Sequence, residues 1–257
     1  MIAVQDRTAI VATIQRALAE DIGPADVTSE WTLEPEAQAS GRFLVKEPGI
    51  IAGLEIIEEV FRQVDPTIRL QSLAVDGAAV QPGQVVATVE GPAIPILSAE
   101  RVALNFLQRM SGIATLARRY VEAVRGTNAI ILDTRKTAPG LRLLDKLAVR
   151  LGGASNHRVG LYDMVLIKDN HIAAAGGITA AVRRVQARND QGLPVEVEVT
   201  NLDQLQEALA LGVDRILLDN MDVDTLRRAV WRPRGASRST MWPRSPLPAW
   251  TISQSAR

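Results

Sequence analysis

Hydrophobic and polar positions in the first part of the chain follow a mixed pattern. Helical periodicity predicts helices over residues 8–20 and 54–63. Between residues 41 and 96, short apolar runs are separated by turn sequences such as Gln81-Pro82-Gly83. We therefore expect a small α+β domain in this part of the chain.

The second part of the chain alternates regularly. A helix is predicted over 99–124, with a break at Ser111-Gly112. The short apolar runs that follow predict strands over 129–132, 164–167, 195–199 and 215–218. Helical patterns lie between and after them, over 140–151, 179–189, 202–211 and 223–230. Alternating strands and helices predict a parallel sheet, and we interpret residues 111–230 as an incomplete TIM-like α/β barrel.

Polar residues follow the predicted strands where these end. They are Arg135 and Lys136 after the first strand, Lys168, Asp169 and Asn170 after the second, Glu198 near the end of the third, and Asp219 and Asn220 after the fourth. Taken singly, Asp169, Asn170, Asp219 or Asn220 is more simply a helix N-cap. The cations do not fit that role, because positive charge is unfavourable at a helix N-terminus. The whole set therefore predicts a barrel active site.

The charged residues indicate what this site binds. Arg135, Lys136, Arg158 and Lys168 supply four positive charges, which suit a ligand with several anionic groups. Two carboxylates, those of Glu198 and Asp219, could hold a divalent cation or sugar hydroxyls.

Other polar residues are assigned lesser roles. His157 is interpreted with equal weight as structural or as a donor to an anion, and His171 as a residue that starts a helix. Asp145, Lys146 and Arg150 lie at helical spacing and are expected to be mostly solvated surface pairs.

Composition narrows the class of protein. Lys+Arg and Asp+Glu balance at 29 each, which argues against a nucleic-acid or membrane partner. The absence of cysteine excludes thiolate chemistry, and two histidines argue against a histidine zinc site. The sequence begins without a recognisable signal peptide and contains no apolar run of transmembrane length, so we expect a soluble, cytoplasmic protein.

Several ordered motifs resemble one family, quinolinate phosphoribosyltransferase. They include Glu100-Arg101, Asp133-Thr134-Arg135-Lys136-Thr137, Asn156-His157-Arg158, Ile167-Lys168-Asp169-Asn170-His171, Glu196-Val197-Glu198-Val199 and Leu217-Leu218-Asp219-Asn220. The resemblance implies phosphoribosyl transfer to quinolinate with decarboxylation, in NAD biosynthesis. It also implies an N-terminal α/β sandwich domain over residues 1–110. The implied cofactor is Mg²⁺, the implied co-substrate is phosphoribosyl pyrophosphate, and the implied assembly is a homodimer or a hexamer of dimers.

The resemblance further implies a role for each matching residue. Quinolinate would be bound by Arg101 from a second subunit and by Arg135, His157, Arg158 and Lys168. The co-substrate and its Mg²⁺ would be held by Lys136, Glu198 and Asp219, with Glu198 and Asp219 as metal ligands. The catalytic set would be Lys136, Lys168, Glu198 and Asp219.

After Ala229 the recognisable motifs stop. Residues 231–257 are rich in arginine, proline, serine and tryptophan and contain no acidic residue. One interpretation is a divergent or disordered basic tail. We favour a shifted reading frame, because Trp250 to Ala256 can be encoded so that another frame gives a strand ending in Val-Gly-Ala. Activity of the chain as written is therefore uncertain. Two alternatives to an active enzyme remain, a non-catalytic anion-binding remnant and a pyrophosphorylase-like protein of molybdenum transport.

Overall fold

A computed structural model describes residues 4–230 and 250–253. The chain divides between His157 and Arg158 into two compact units. The domain boundary predicted at residue 110 falls inside a long helix of the first unit. The boundary at residue 110 remains a prediction of where the sequence divides into two domains.

The first unit combines helices with two antiparallel sheets. Its helices are α1 (Val4–Ile22), α2 (Val27–Thr32), α3 (Leu54–Val64), α4 (Ala93–Ala123) and α5 (Arg142–Leu151). Its strands are β1 (Gln38–Leu44), β2 (Gly49–Ile50), β3 (Arg69–Ser72), β4 (Ala79–Val80) and β5 (Val85–Pro92). β5 lies between β1 and β3, and β2 pairs with β4. Residues of α3, α4 and β5, among them Phe61, Met110 and Val89, belong to one apolar core.

The predicted break in α4 is wrong, because the helix is continuous through Ser111 and Gly112. The Ser111 hydroxyl accepts a hydrogen bond from the Ala52 backbone N–H at 3.0 Å. One turn later, the Thr115 hydroxyl accepts from the Ile50 N–H at 2.8 Å. These hydroxyls accept hydrogen bonds from the backbone of a neighbouring segment of the unit. They do not compete with the hydrogen bonds of their own helix, which therefore continues.

The second unit contains a parallel sheet in the order β6-β7-β8-β9. Its strands are β6 (Val165–Ile167), β7 (Val195–Val199), β8 (Arg215–Asp219) and β9 (Trp250–Ser253). Its helices are α6 (Asp169–Ala175), α7 (Ile178–Gln186), α8 (Leu202–Ala210) and α9 (Val223–Val230). The predicted alternation of strands and helices is confirmed here, and so is the mixed α/β class.

The two faces of this sheet differ in chemistry. One face carries aliphatic side chains such as Val197 and Ile216, which belong to a core with Val182 of α7 and Leu205 of α8. The other face carries Glu196, whose side chain is fully buried. The strict alternation of valine and glutamate in β7 is therefore the alternation between an aliphatic and a charged face.

The strand predicted over residues 129–132 is wrong as a regular strand. It is reduced to one parallel bridge between Leu132 and Ser155 in the first unit. The predicted tail over 231–257 lies outside the described residues except for Trp250–Ser253, which pair in parallel with β8. Within the described residues, no helix is both long and apolar enough to cross a membrane.

Candidate functional site

Strand register in the parallel sheet places several charged residues on one face. Glu196 pairs with Leu166 of β6 and with Arg215 of β8. Residues at even spacing along each strand point to this same face. Toward the carboxyl ends of the strands the face therefore carries three ionisable residues, Lys168, Glu198 and Asp219.

The Glu198 carboxylate is the electrostatic centre of this face. Its Oε2 lies 3.8 Å from Nζ of Lys168, and its side chain is 14% exposed. Burial raises the pKa of Glu198 above its ordinary value. Lys168 opposes this shift, whereas the carboxylates of Asp219, Asp169 and Glu196 increase it. A bound cation or donor would offset the repulsion that these carboxylates exert on one another.

The number of carboxylates decides how well this face fits magnesium. Within the part of the chain that the structure describes, no group of three or more His, Asp or Glu side chains is placed to hold a metal ion. Two carboxylates, Glu198 and Asp219, are what Mg²⁺ commonly takes from a protein when substrate phosphates complete its shell. The residues therefore fit magnesium that arrives with a phosphorylated substrate.

The N-cap interpretation of Asp219 and Asn220 is wrong. Helix α9 begins at Val223, and the carboxylate before it, Asp222, accepts the Thr225 N–H at 2.7 Å. Asn220 has a left-handed backbone with φ of 51° and donates from Nδ2 to the Asp219 carboxylate at 2.8 Å. Asp219 is therefore the last residue of β8 and does not cap α9, so its carboxylate can bind a ligand.

Helix α6 begins directly after Lys168. The Lys168 backbone N–H donates to Nδ1 of His171 at 3.0 Å, which confirms the prediction that His171 starts a helix. Asp169 and Asn170 are the first two residues of α6 and do not precede it as caps. This local bonding fixes the backbone from which the Lys168 side chain extends to Glu198.

In the first unit, Arg135 and Lys136 lie on an irregular segment. Nε of Arg135 is buried and has no hydrogen-bond partner among the described residues. Lys136 is exposed, and its backbone N–H donates to the Thr134 hydroxyl at 3.0 Å. A buried guanidinium N–H without an acceptor among the described residues is suited to donate a hydrogen bond to an anionic ligand.

His157 is tied to this segment through the Asp133 carboxylate, which accepts its backbone N–H at 2.8 Å. The same carboxylate lies 2.6 Å from Nζ of Lys146, and both side chains are buried.

The expectation that Asp145 and Lys146 are solvated is wrong, because they are 5% and 3% exposed, whereas Arg150 is exposed as expected.

The reason lies in the packing of α5 against α4. Asp145 forms a bidentate ion pair with Arg109 of α4, in which both N–O distances are 2.8 Å. Gly152, at the end of α5, lies so close to α4 that an added Cβ would be 2.4 Å from the Ala114 carbonyl oxygen. The missed signal was the position of Lys146, three residues from both Leu143 and Val149 and thus beside the apolar row of the helix.

Arg158 begins the second unit in a tight turn. Its Nη1 donates to the Met164 carbonyl at 3.2 Å. Asp163 closes the turn by accepting the backbone N–H groups of Val159 and Gly160 at 2.7 and 2.8 Å. Arg101, the remaining predicted ligand, lies exposed on α4 of the first unit.

An α/β chain that gathers cations and carboxylates at strand ends is typical of enzymes that act on small anionic molecules. The family models of quinolinate phosphoribosyl transferase match it twice, with the N-terminal domain over residues 26–111 and the C-terminal domain over residues 113–241. The chain belongs to the quinolinate phosphoribosyltransferase family. The second match extends past Ala229, where the recognisable motifs end.

Similar proteins carry the names of one enzyme. A probable nicotinate-nucleotide pyrophosphorylase (carboxylating) of Synechocystis sp. is 48% identical over 84% of this chain and 73% of its own length. The chloroplastic nicotinate-nucleotide pyrophosphorylase (carboxylating) of Oryza sativa is 46% identical over 82% of this chain and 59% of its own length. The chain thus spans between about three fifths and three quarters of these two relatives.

Solved structures show the same fold. The crystal structure of NadC from Streptococcus pyogenes has a TM-score of 0.84 and 39% identity, covering 90% of this chain and 81% of that one. The nicotinate-nucleotide pyrophosphorylase of Francisella tularensis has a TM-score of 0.82 and 38% identity, covering 87% of this chain and 79% of that one.

Proposed function

We propose that the chain transfers a phosphoribosyl group from phosphoribosyl pyrophosphate to quinolinate, giving nicotinate mononucleotide, pyrophosphate and CO₂. The observation that carries the proposal is the grouping of Lys168, Glu198 and Asp219 on one face of the sheet, at the carboxyl ends of the parallel strands. Membership of the family supports the identity of the substrates. The molybdenum-transport alternative is not favoured, because the named relatives are pyridine-nucleotide enzymes.

Quinolinate presents two carboxylates beside its ring nitrogen, and the proposed ligands are cationic or donate hydrogen bonds. They are Arg135, His157, Arg158 and Lys168, with Arg101 from a second copy of the chain. The buried Nε of Arg135 supports this role, because an anion would supply the acceptor that the described residues do not. The exposure of Arg101 supports its assignment to a neighbouring subunit.

Phosphoribosyl pyrophosphate is assigned to Lys136, Glu198 and Asp219. Magnesium, when bound with the co-substrate, would neutralise charge on the pyrophosphate as it leaves. Lys136, which is exposed, is suited to contact a phosphate as a point charge. The carboxylates of Glu198 and Asp219 would hold the ion and orient the ribose.

The proposed reaction has two steps, a displacement of pyrophosphate and a decarboxylation. The pyridine nitrogen attacks the anomeric carbon of the ribose, and the bond to pyrophosphate breaks with its electron pair on the leaving oxygen. The C2 carboxylate then leaves as CO₂, its bonding electrons remain on the ring carbon beside the cationic nitrogen, and a proton from solvent completes the product. The residues Lys136, Lys168, Glu198 and Asp219 contribute positioning and charge stabilisation.

We propose a homodimer, or a hexamer built of dimers, because Arg101 is assigned to a neighbouring site. A cytoplasmic location completes the proposal, in keeping with the absence of cysteine from the sequence.

Calorimetry with quinolinate and nicotinate tests the substrate assignment. Nicotinate lacks one carboxylate, and loss of a charge-assisted contact of about 1.5–3 kcal/mol should weaken its binding by about tenfold or more. The Arg135→Met variant should have a smaller difference in affinity between quinolinate and nicotinate, because it lacks one of the proposed carboxylate ligands. Equal affinity of the wild-type chain for both acids would contradict the proposal, and quinolinate binding without product would identify a non-catalytic, anion-binding chain.

A further inference from the structure

A buried carboxylate connects the two irregular segments of the first unit that carry proposed ligands. Asp133 Oδ1 lies 2.6 Å from Nζ of Lys146 and accepts the His157 backbone N–H at 2.8 Å. Its Oδ2 accepts from Asn156 Nδ2 at 2.7 Å. The side chains of Lys146 and Asp133 are 4% and 8% exposed, so water contributes little to this network.

The partners of Asp133 also bind the backbone of the segments they join. Lys146 Nζ donates to the His157 carbonyl at 3.1 Å, and Asn156 Nδ2 donates to the Lys146 carbonyl at 2.9 Å. Helix α5, which carries Lys146, is therefore fixed to the segment at 156–157 from both sides. Asp133 fixes the same segment to the one that carries Arg135 two residues later.

Backbone pairing alone holds these segments weakly. A single parallel bridge joins Leu132 to Ser155, with one hydrogen bond from Asp133 N–H to the Ser155 carbonyl and one from Ser155 N–H to the Ile131 carbonyl. A regular parallel strand pair would have a continuous ladder of such bonds. Here side-chain bonds replace most of that ladder.

Stability alone does not explain a buried ion pair, because well-packed apolar residues in its place are often as stabilising. What apolar residues cannot supply is a directional tie between one carboxylate oxygen and a specific backbone N–H. A binding site needs such directional ties, because small displacements of its ligands strongly reduce affinity.

We propose that Asp133, Lys146 and Asn156 are positioning residues that hold the Arg135 and His157 segments at the spacing quinolinate requires. The inference rests on the proposed function. The inference predicts a selective effect on quinolinate. Two of its proposed ligands, Arg135 and His157, lie on these segments, whereas only Lys136 of the three residues assigned to phosphoribosyl pyrophosphate does.

The test compares Lys146→Met with the double variant Asp133→Leu/Lys146→Met. The double variant leaves no buried unpaired charge, so it provides a folded protein if the single variant unfolds. The matched control is Glu59→Gln, which alters a buried carboxylate of α3 that bonds to Arg62 and Gln63 and does not contact these segments. Measurements are the dissociation constants of quinolinate and of phosphoribosyl pyrophosphate by calorimetry, and amide hydrogen exchange at His157.

In a folded variant we expect quinolinate affinity to fall by about tenfold or more, affinity for phosphoribosyl pyrophosphate to fall less, and His157 exchange to accelerate. The control should change none of these selectively. Equal losses for both substrates, or unchanged protection of His157, would overturn the inference. If the wild-type chain binds no quinolinate, the proposed function is wrong and substrate positioning falls with it, while accelerated exchange would still show that the network holds the segments.

Discussion

The two regions that carry the proposed ligands are held in place by different means. In the second unit, Lys168, Glu198 and Asp219 extend from the ends of regular strands whose ladder fixes their spacing. In the first unit, Arg135 and His157 lie on irregular segments that share one backbone bridge and a buried carboxylate.

Charge is also handled differently in the two regions. Lys146 is buried and lies 2.6 Å from its partner, so its charge is already compensated. Lys168 is 46% exposed and 3.8 Å from Glu198, whose pKa is raised by burial and by neighbouring carboxylates. Lys146 is therefore a structural residue of the buried network, whereas Lys168 remains available to a ligand.

The largest expected effect concerns the residues after Ala229. The family resemblance implies turns in this part of the chain that would bind the 5′-phosphate of the ribose, and residues 231–257 contain no recognisable motif for them. Shifting the reading frame back near Ala229 should increase nicotinate mononucleotide formation by about 100-fold or more, since several charge-assisted contacts return. A side-by-side turnover assay checks this.

Quinolinate affinity is the internal control for that comparison, because all its proposed ligands precede Ala229. It should change less than affinity for phosphoribosyl pyrophosphate. Comparable turnover by the two versions would show that the ending is a functional one and that the frameshift hypothesis is wrong.

A pair of lysine substitutions tests the contrast between the two regions directly. Lys146→Met should lower the free energy of unfolding by about 3–5 kcal/mol, because it leaves Asp133 buried without its cation. Lys168→Met should change it by about 0.5 kcal/mol or less, because its ion pair is long and half-exposed. Urea unfolding of both variants measures the difference, and similar losses would show that the two lysines are not distinct in role.

Subunit mixing tests whether a site is shared. Arg101→Ala and Arg158→Ala should each be poorly active. Random mixing should restore about a quarter of wild-type activity, because about half of the dimers are hybrid and each hybrid has one site with both arginines. The assay is product formation after verified subunit exchange, run on a frame-restored chain if the first prediction holds. Activity that stays at the level of the single variants would argue for a site within one subunit.

A small gain in stability, of about 0.5–1 kcal/mol near neutral pH, is expected from Glu198→Gln. The folded-state pKa of Glu198 is raised above its unfolded value. Its contribution to stability is therefore fully present below the unfolded pKa and is lost as pH rises through the folded pKa.

The advantage of Glu198→Gln should accordingly be absent in acid and grow as pH rises, which melting temperatures between about pH 4 and about pH 8 would show. Glu59→Gln is the matched control, and it should destabilise because Glu59 is buried with its partners Arg62 and Gln63. A Glu198→Gln variant that is less stable than wild type throughout this range would contradict the inference that burial and the neighbouring carboxylates disfavour the charged form of Glu198.

Local sequence patterns predicted much of the second unit. The alternation in Val195–Val199 and the apolar runs at β6 and β8 identified three of the parallel strands, and hence the grouping of Lys168, Glu198 and Asp219 at their carboxyl ends. This succeeded because the period of a strand and the polarity of its end are written in consecutive residues.

Tertiary contacts decided what consecutive residues do not specify. The Ser111 hydroxyl bonds to Ala52 while the helix continues through Gly112, and the apolar run before Asp133 forms a single bridge, from Leu132 to Ser155. The sequence alone determined the residue types, the α/β class and the family resemblance. Only the folded chain decided that Lys146 is buried against Asp133, because the environment of a lysine depends on residues distant in sequence.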